Sequence, residues 1–381
     1  MYLTKWEEKA LNGEFGEALA KAMKIIVSVG EALDAERLVE ISHAHVSGIS
    51  IDNIGLHGVE VLENFAKMGA HVRVYTTANP CSAALYMDND VGMAQRRIVE
   101  ALRSMGIDVE NSLTCAPYLV RKPSYGEHLA WAESSAVIIA NSLYGAKTNR
   151  EGGIVALAAA IAGRTYEAGL HLDEERRPHE LVRVKQEIKS VFEASILGLA
   201  IGAKGVTLPL IDANVVCRLR ITAIKNMLAS IASTSSCGMA IIKGFSPYKI
   251  DETSIHELER IDVDSYELRM VCEDVCNTIL VGCPHLPEDE VAELLLEIVA
   301  SPIAKHVDKV VVTCGNRFRV SQNLQHAIDK LRRLGIEVDI IRGVCLVVSK
   351  SSGIRCVSTP HGKALYYIPK LLRACVYPVN I

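Results

Sequence analysis

Residues 277–313 read NTILVGCPHLPEDEVAELLLEIVASPIAKHVDKVVVT. NTILV (277–281) and DKVVVT (308–313) are short β-rich runs, and PEDEVAELLLEIV (287–299) between them repeats its apolar residues with a helical period. The alternation continues through a helix over 322–334 and a strand over 336–341, IEVDII. Strand and helix taking turns predict an α/β chain with largely parallel sheets. The regularity from 277 onward marks a C-terminal α/β lobe, 277–381, apart from a core over 1–276. Upstream, helical periodicity covers 14–28, 57–68, 94–105, 128–140, 181–199 and 254–261, with a strand over 71–76, HVRVYT. The charge-dense segment EAGLHLDEERRPHE (167–180) predicts a long surface excursion or a partner-facing loop.

Composition excludes several classes. A chain of 381 residues, 49% hydrophobic, is long enough for two or three packed units with a large core. Its 41 basic and 45 acidic residues are well mixed, so no basic stripe tracks a phosphate backbone and nucleic acid is not expected as a partner. The start, MYLTKWEEKALNGEF, carries acids where a signal peptide needs an apolar run, and GGIVALAAAIAG (152–163) falls short of the ~20 residues that span a bilayer. A cytoplasmic protein without a membrane partner is expected. Eleven cysteines diluted through so long a chain read mostly as free thiols, and Cys272 and Cys276, a helical turn apart, read as core packing. No GxGxxG, GxxxxGK[ST], GxSxG or HExxH motif is present.

In open α/β sheets ligands gather where strands end. The polar or glycine-containing stretches that follow apolar runs are therefore the places to search: HAHVSGIS (43–50), YTTANPCS (75–82), LTCAPYL (113–119), YGEHLAWAESSA (125–136), YGAKTNREGG (144–153), ASTSSCGMA (232–240), VGCPHL (281–286), GVCLVV (343–348) and STPHGKALYY (358–367). Three of them carry a cysteine at an element boundary. Cys115 precedes Pro117, Cys283 precedes Pro284, and Cys345 follows Gly343. A buried cysteine is by default a small hydrophobe. The alternative is three thiolates aimed into one cavity, as iron–sulfur ligation requires, and spacing alone cannot bring them together.

The run CAPYLVRKPSYGEHLAWAESSAVIIANSLYGAKTNREGGIVALAAAIAGRT (115–165), together with TTANP (76–80), VGCPHL and GVCLVV, resembles the aconitase X family, and the likeness extends from HVSG to HGKALYY. The resemblance implies an aconitase-like α/β fold, with several parallel-sheet units around a central cluster site and the swivelling domain absent from this chain. It implies an iron–sulfur hydro-lyase whose [4Fe–4S] cluster is held by Cys115, Cys283 and Cys345, with one iron left open as a Lewis acid. The implied substrate is (R)-5-phosphomevalonate, dehydrated to trans-anhydromevalonate 5-phosphate in a modified mevalonate pathway. The related alternatives are a cis-3-hydroxy-L-proline dehydratase and a non-catalytic RNA-binding relative. The implied partner is a small subunit that carries the swivelling domain and a catalytic serine as general base.

Within that frame the Gly48-Ile49-Ser50 turn and Lys363 are expected at the phosphate. Asn79 with Pro80, and Glu133 with Ser134, are expected at the carboxylate and hydroxyl, and Arg150 is a further anion-binding candidate. Each has a plainer alternative. Gly48 and Ser50 suit a simple turn, Asn79-Pro80 is a common turn pair, and Lys363 could be solvated. Glu133 among apolar neighbours needs a partner or a proton. His128 beside Glu127 reads either as a catalyst or as a satisfied structural histidine.

Overall fold

The computed structural model of the chain describes residues 1–184, 187–212, 220–250, 255–263 and 276–381. Its N-terminal part runs α1 (Lys5–Leu11), α2 (Glu17–Ala32), β1 (Leu38–Glu40), β2 (His43–Val46), α3 (Ile51–Lys67), β3 (Tyr75–Ala78), α4 (Asp90–Ser104), β4 (Leu129–Trp131), α5 (Ser134–Ile139), α6 (Gly153–Ala162) and β5 (Arg164–Tyr166). A middle part follows with β6 (Glu180–Val184), α7 (Val191–Ala203), β7 (Pro209–Ile211), α8 (Ile221–Thr234), β8 (Ile241–Ile242) and β9 (Glu259–Val263). The last part is β10 (Thr278–Val281), α9 (Glu288–Ala300), β11 (Lys309–Cys314), α10 (Gln322–Arg333), β12 (Glu337–Arg342), β13 (Cys356–Thr359), α11 (Gly362–Leu372) and β14 (Cys375–Pro378).

Local chemistry sets these elements. Glu288, Asp289 and Glu290 fill the first turn of α9 and Lys330, Arg332 and Arg333 the last turn of α10, each complementing its helix dipole. Ser321 caps α10 by accepting the Leu324 N–H at 3.3 Å. β10 has its Ile279, Leu280 and Val281 buried, as a strand covered on both faces requires.

Strands β12, β11, β10, β13 and β14 pair in that order in one parallel sheet. The chain moves outward from β10 to β12, then crosses back to place β13 on the other side of β10. The strand order therefore reverses between β10 and β13, where a ligand crevice is expected beyond the carboxyl ends. A second parallel sheet, ordered β3, β2, β4, reverses in the same way about β2. A third, ordered β8, β7, β6, β9, is also parallel, and β1 pairs antiparallel with β5. The carboxyl ends of the first two sheets are joined directly. Cys81 and Val344 form a parallel bridge, with Cys81 N–H donating to Gly343 O at 2.8 Å and Cys345 N–H to Cys81 O at 3.0 Å. No helix among the described residues is long and apolar enough to cross a membrane.

Several expected elements differ. The helix expected over 128–140 is strand β4 followed by α5, because Leu129, Ala130 and Trp131 pair with β2. The helix expected over 181–199 splits into β6, which pairs with β7 and β9, and α7. Of the helix expected over 254–261, residue 254 lies outside the described residues, while 255–257 form a 3-10 turn and 259 onward is β9. The strand expected over 71–76 forms at Tyr75–Ala78. Segment 167–180 is packed instead of being a free excursion. Arg176 is buried and donates to the carbonyls of Leu170 (2.7 Å) and Ala146 (2.8 Å), and His171 is buried with it. Cys276, expected as core packing, forms a disulfide with Cys356 across Cα atoms 5.9 Å apart; Cys272 lies outside the described residues.

Candidate active site

The loops that end six strands of the two joined sheets contribute to one cavity of about 600 Å³. β2 delivers Ser47, Gly48, Ile49 and Ser50; β3 delivers Asn79 and Pro80; β4 delivers Glu133 and Ser134. β10 delivers Gly282 and Cys283, β12 leads to Cys345, and β13 leads through His361 to Lys363. Cys115 enters from the loop between α4 and β4, and Arg150 and Glu151 from the turn before α6. Twelve of the thirteen residues anticipated from sequence thus line the same wall, from segments more than 300 positions apart at the extremes.

Two glycines are required where they stand. Gly48 has φ 69, the left-handed region, and turns the chain from β2 into α3. Gly282 has φ 98, and a Cβ there would lie 2.0 Å from the Thr313 carbonyl, so only glycine lets the chain present Cys283 from the end of β10.

One end of the cavity is built for an anion. Ser50 is the N-cap residue of α3, yet its hydroxyl makes no cap bond and is buried without a partner. Gly152 is the N-cap residue of α6 and likewise supplies no side-chain cap. A Cβ on Gly153 would meet Ser47 O at 2.4 Å, so the starts of α3 and α6 lie against one another. The N-terminus of α6, with the single turn Ile51–Ile54 that precedes the break in α3 at Gly55 and an unused hydroxyl, favours negative charge.

The other end holds three thiols and an ion pair. Cys115, Cys283 and Cys345 have no disulfide partner. Cys115 accepts the His285 backbone N–H at 3.2 Å. Burial pushes the Cys115 thiol up to about 12 and raises Cys283 and Cys345 as well, with the Lys363 ammonium the next influence on each and opposing it. The thiols also act on one another: a Cys345 thiolate raises both others, and a Cys115 thiolate raises Cys283. Among the described residues no three thiol, imidazole or carboxylate groups converge on a point that would hold a single ion. Three thiols on one wall are the soft donor set that an iron–sulfur cluster takes.

Lys363 pairs with Glu133 and donates to Ser135 Oγ at 3.1 Å. Burial would raise the Glu133 carboxyl, but the Lys363 charge and the hydrogen bonds from Lys363 and Asn79 outweigh it and bring it to about 2. Burial works against the Lys363 ammonium, but Glu133 and then the thiolates of Cys115 and Cys283 hold it above its ordinary range. Lys363, the candidate for the phosphate with Gly48–Ser50, lines the same cavity and reaches Glu133 because β13 neighbours β10 and its loop emerges beside Cys283. Glu133, expected within a helix, is the N-cap residue of α5 and accepts the Ser135 N–H at 3.4 Å.

Arg150 lines the cavity and donates to Ser235 O at 2.8 Å, which ties the ASTSSCGMA stretch to this wall. His128 is the exception. It stacks on His171 with ring centroids 5.2 Å apart and Nδ1 to Nδ1 at 2.9 Å, outside the cavity, because β4 carries it at the opposite end from Glu133. Sequence reading missed Asn53, Glu151, His285 and Tyr367 as lining residues. Glu151 and His285 lay inside stretches already singled out, beside Arg150 and Cys283. Burial raises Glu151 to about 7; Tyr166 donates to its Oε2 at 2.8 Å, and Oε1 has no partner.

Comparison with known proteins places this geometry in context. Models of the first, second and third domains of aconitase X match residues 1–174, 178–273 and 276–380 in turn. The phosphomevalonate dehydratase large subunit of Thermococcus kodakarensis is 38% identical over 96% of this chain and 95% of its own length. The cis-3-hydroxy-L-proline dehydratase of Pseudomonas aeruginosa is 29% identical over 97% of this chain but only 67% of its own. The crystal structure of Thermococcus kodakaraensis aconitase X in its holo-form superposes with a TM-score of 0.82 at 36% identity, covering 96% of this chain and 95% of that one.

Proposed function

The chain belongs to the aconitase X family, and from that premise we propose that it is the large, cluster-holding subunit of a hydro-lyase that dehydrates (R)-5-phosphomevalonate to trans-anhydromevalonate 5-phosphate. The observation that carries this reading is the meeting of Cys115, Cys283 and Cys345 with the Glu133–Lys363 pair on the wall of one cavity. Those three thiols are the residues that would hold a [4Fe–4S] cluster, and their protons would leave as it binds. When bound, a cluster with one iron free of protein thiolate supplies the Lewis acidity that makes hydroxide a tolerable leaving group.

The chain's own residues account for the rest of the recognition. The starts of α3 and α6, with the unused Ser50 hydroxyl, suit a phosphate. Asn79 and the ionised Glu133 suit the hydroxy-acid end beside the thiols. The Lys363 ammonium keeps Glu133 ionised and offsets the charge of the thiolates, so the wall can receive a further anionic carboxylate. The two ends match a molecule with a phosphate at one terminus and a 3-hydroxy acid at the other. The general base is assigned to a small subunit, in keeping with the large-subunit naming of the relative that matches this chain end to end. A heterodimer follows from that assignment.

The test is anaerobic reconstitution of this chain with its small subunit and iron and sulfide, followed by incubation with each candidate substrate. Loss of water from (R)-5-phosphomevalonate and none from cis-3-hydroxy-L-proline is the expected result. The converse would overturn the assignment, as would preparations that never retain iron and sulfide.

A further inference from the structure

Behind the cavity wall a continuous line of hydrogen bonds runs from buried groups of β2, β3 and β4 that the proposed chemistry does not use to Asn79 and Glu133, which it does. The Trp131 Nε1–H donates to His43 Nδ1 at 3.2 Å, and His43 Nε2 lies 3.1 Å from Thr77 Oγ1. Thr77 Oγ1 lies 2.8 Å from His45 Nδ1, His45 Nε2 lies 2.8 Å from Asn79 Oδ1, and Asn79 Nδ2 donates to Glu133 Oε2 at 2.8 Å. Trp131, His43, Thr77 and His45 have no solvent exposure at all.

The two ends of this line allow one direction only. An indole N–H can donate and never accept, so His43 Nδ1 must be bare and its proton must sit on Nε2. That proton goes to Thr77 Oγ1, leaving the single hydroxyl proton for His45 Nδ1; the Ala44 carbonyl is a more distant competitor at 3.5 Å. His45 then carries its proton on Nε2 and donates it to Asn79. At the far end, an ionised carboxylate can accept and never donate. Were Asn79 reversed, its carbonyl would face Glu133 Oε2, acceptor against acceptor. Both ends therefore demand the same tautomer at His45 and the same amide orientation at Asn79. Burial, the leading influence on both, lowers His43 and brings His45 down to about 4, so both imidazoles are neutral, as a one-way line needs.

We propose that His43, Thr77 and His45 are positioning residues that lock the Asn79 amide with its carbonyl turned inward, so that Asn79 offers the cavity N–H only. This deepens the functional reading above and rests on it. The remaining Asn79 N–H becomes a fixed donor for an anionic or carbonyl oxygen of the bound hydroxy acid, and groups that could only donate there are rejected.

The test has two parts. First, the full chain is prepared with 15N-labelled histidine rings, and NMR reads which nitrogen of His45 carries the proton. A proton on Nε2 with bare Nδ1 is expected, and a proton on Nδ1 overturns the proposal whatever the enzyme turns over. Second, His45→Leu and His45→Gln are compared in the reconstituted two-subunit enzyme. Loss of the donor in His45→Leu is expected to raise KM for (R)-5-phosphomevalonate about tenfold while kcat falls less than about threefold, and His45→Gln, which keeps an N–H where Nε2 was, is expected to recover most of that loss. Equal effects of Leu and Gln, or no change in either, refute positioning through Asn79 while leaving the dehydratase reading intact. A parent enzyme silent toward phosphomevalonate refutes that reading and leaves the His45 tautomer to be decided by NMR.

Discussion

Replacing Lys363 by methionine removes the cation from a buried pair and leaves Glu133 facing the cavity without it. The side chains of Lys363 and Glu133 are only 11% and 12% exposed, so water cannot take over the solvation of the carboxylate. Burial raises Glu133, yet Lys363 first, with Asn79 and His45, brings it from 4.5 to about 2, and at about 1.4 kcal/mol for each tenfold change the net of these effects is about 3 kcal/mol of stabilisation. Removing one partner of a buried pair costs about 3 to 5 kcal/mol by independent reckoning, so the two agree. The pH dependence follows from the sign. A carboxyl held below its unfolded value contributes fully above 4.5, and the contribution is lost as pH falls from 4.5 through about 2. In Lys363→Met, burial is opposed chiefly by Asn79, Glu133 rises above its ordinary value, and acid relieves the strain. Urea unfolding of the full chain, followed by circular dichroism, should therefore show Lys363→Met destabilised by about 3 to 5 kcal/mol at pH 7, with the deficit shrinking below pH 4.5. Adding Glu133→Gln should restore much of the loss, because the uncompensated charge is gone. A Lys363→Met penalty under about 1 kcal/mol, or a deficit that grows in acid, would refute the buried-pair account.

Cys115→Ser, Cys283→Ser and Cys345→Ser should each lower iron and sulfide retained after anaerobic reconstitution, while replacing the exposed Cys375 of β14 by serine should not; metal and sulfide analysis per chain decides this. Ser50→Ala should raise KM for the phosphorylated substrate roughly ten- to a hundredfold with kcat little changed, since a hydroxyl held for an anion binds ground and transition states alike. His128→Gln should alter kcat/KM by less than about threefold, because the ring packs on His171 outside the cavity.

The fold was most legible where burial is uniform. The C-terminal helices appear within a residue or so of their periodic patterns, since α9 and α10 each keep one apolar face and β10 to β12 are short apolar runs between them. Reading failed where that contrast vanishes. Residues 128–140 are mostly buried, and 181–199 mixes apolar residues with Arg183, Glu187, Lys189 and Glu193, so period did not separate β4 from α5 or β6 from α7. Helices α6 and α8 went unnoticed for the same reason. Ala156–Ala162 are all buried, as are twelve consecutive residues from Thr222 to Ser233, and no solvent-facing charged stripe marks either as a helix.

The site was legible for a different reason: polar or glycine-containing stretches that follow apolar runs can be read from sequence, and in α/β folds such stretches gather ligands. That rule marked the stretches that hold Gly48, Asn79, Glu133, Cys283 and Lys363, the family resemblance picked out the residues, and neither told that Lys363 would pair with Glu133. Whether a lysine neutralises a bound anion or a wall carboxylate depends on the order in which strands pair, here β13 against β10, and strand order is not encoded near the lysine. Histidines 43 and 45 pose the harder case. In HAHV they alternate with apolar residues as a half-buried strand would, yet all four positions are buried. Two imidazoles taken into the sheet are tolerable only when every ring nitrogen is matched, and the matching groups, Thr77 on β3 and Trp131 on β4, lie 32 and 88 positions from their imidazole partners. Buried polar residues at strand positions next to a strand end therefore mark a network that must close somewhere. Where it closes, and in which direction its protons point, is fixed only by the obligate donor at one end and the obligate acceptor at the other.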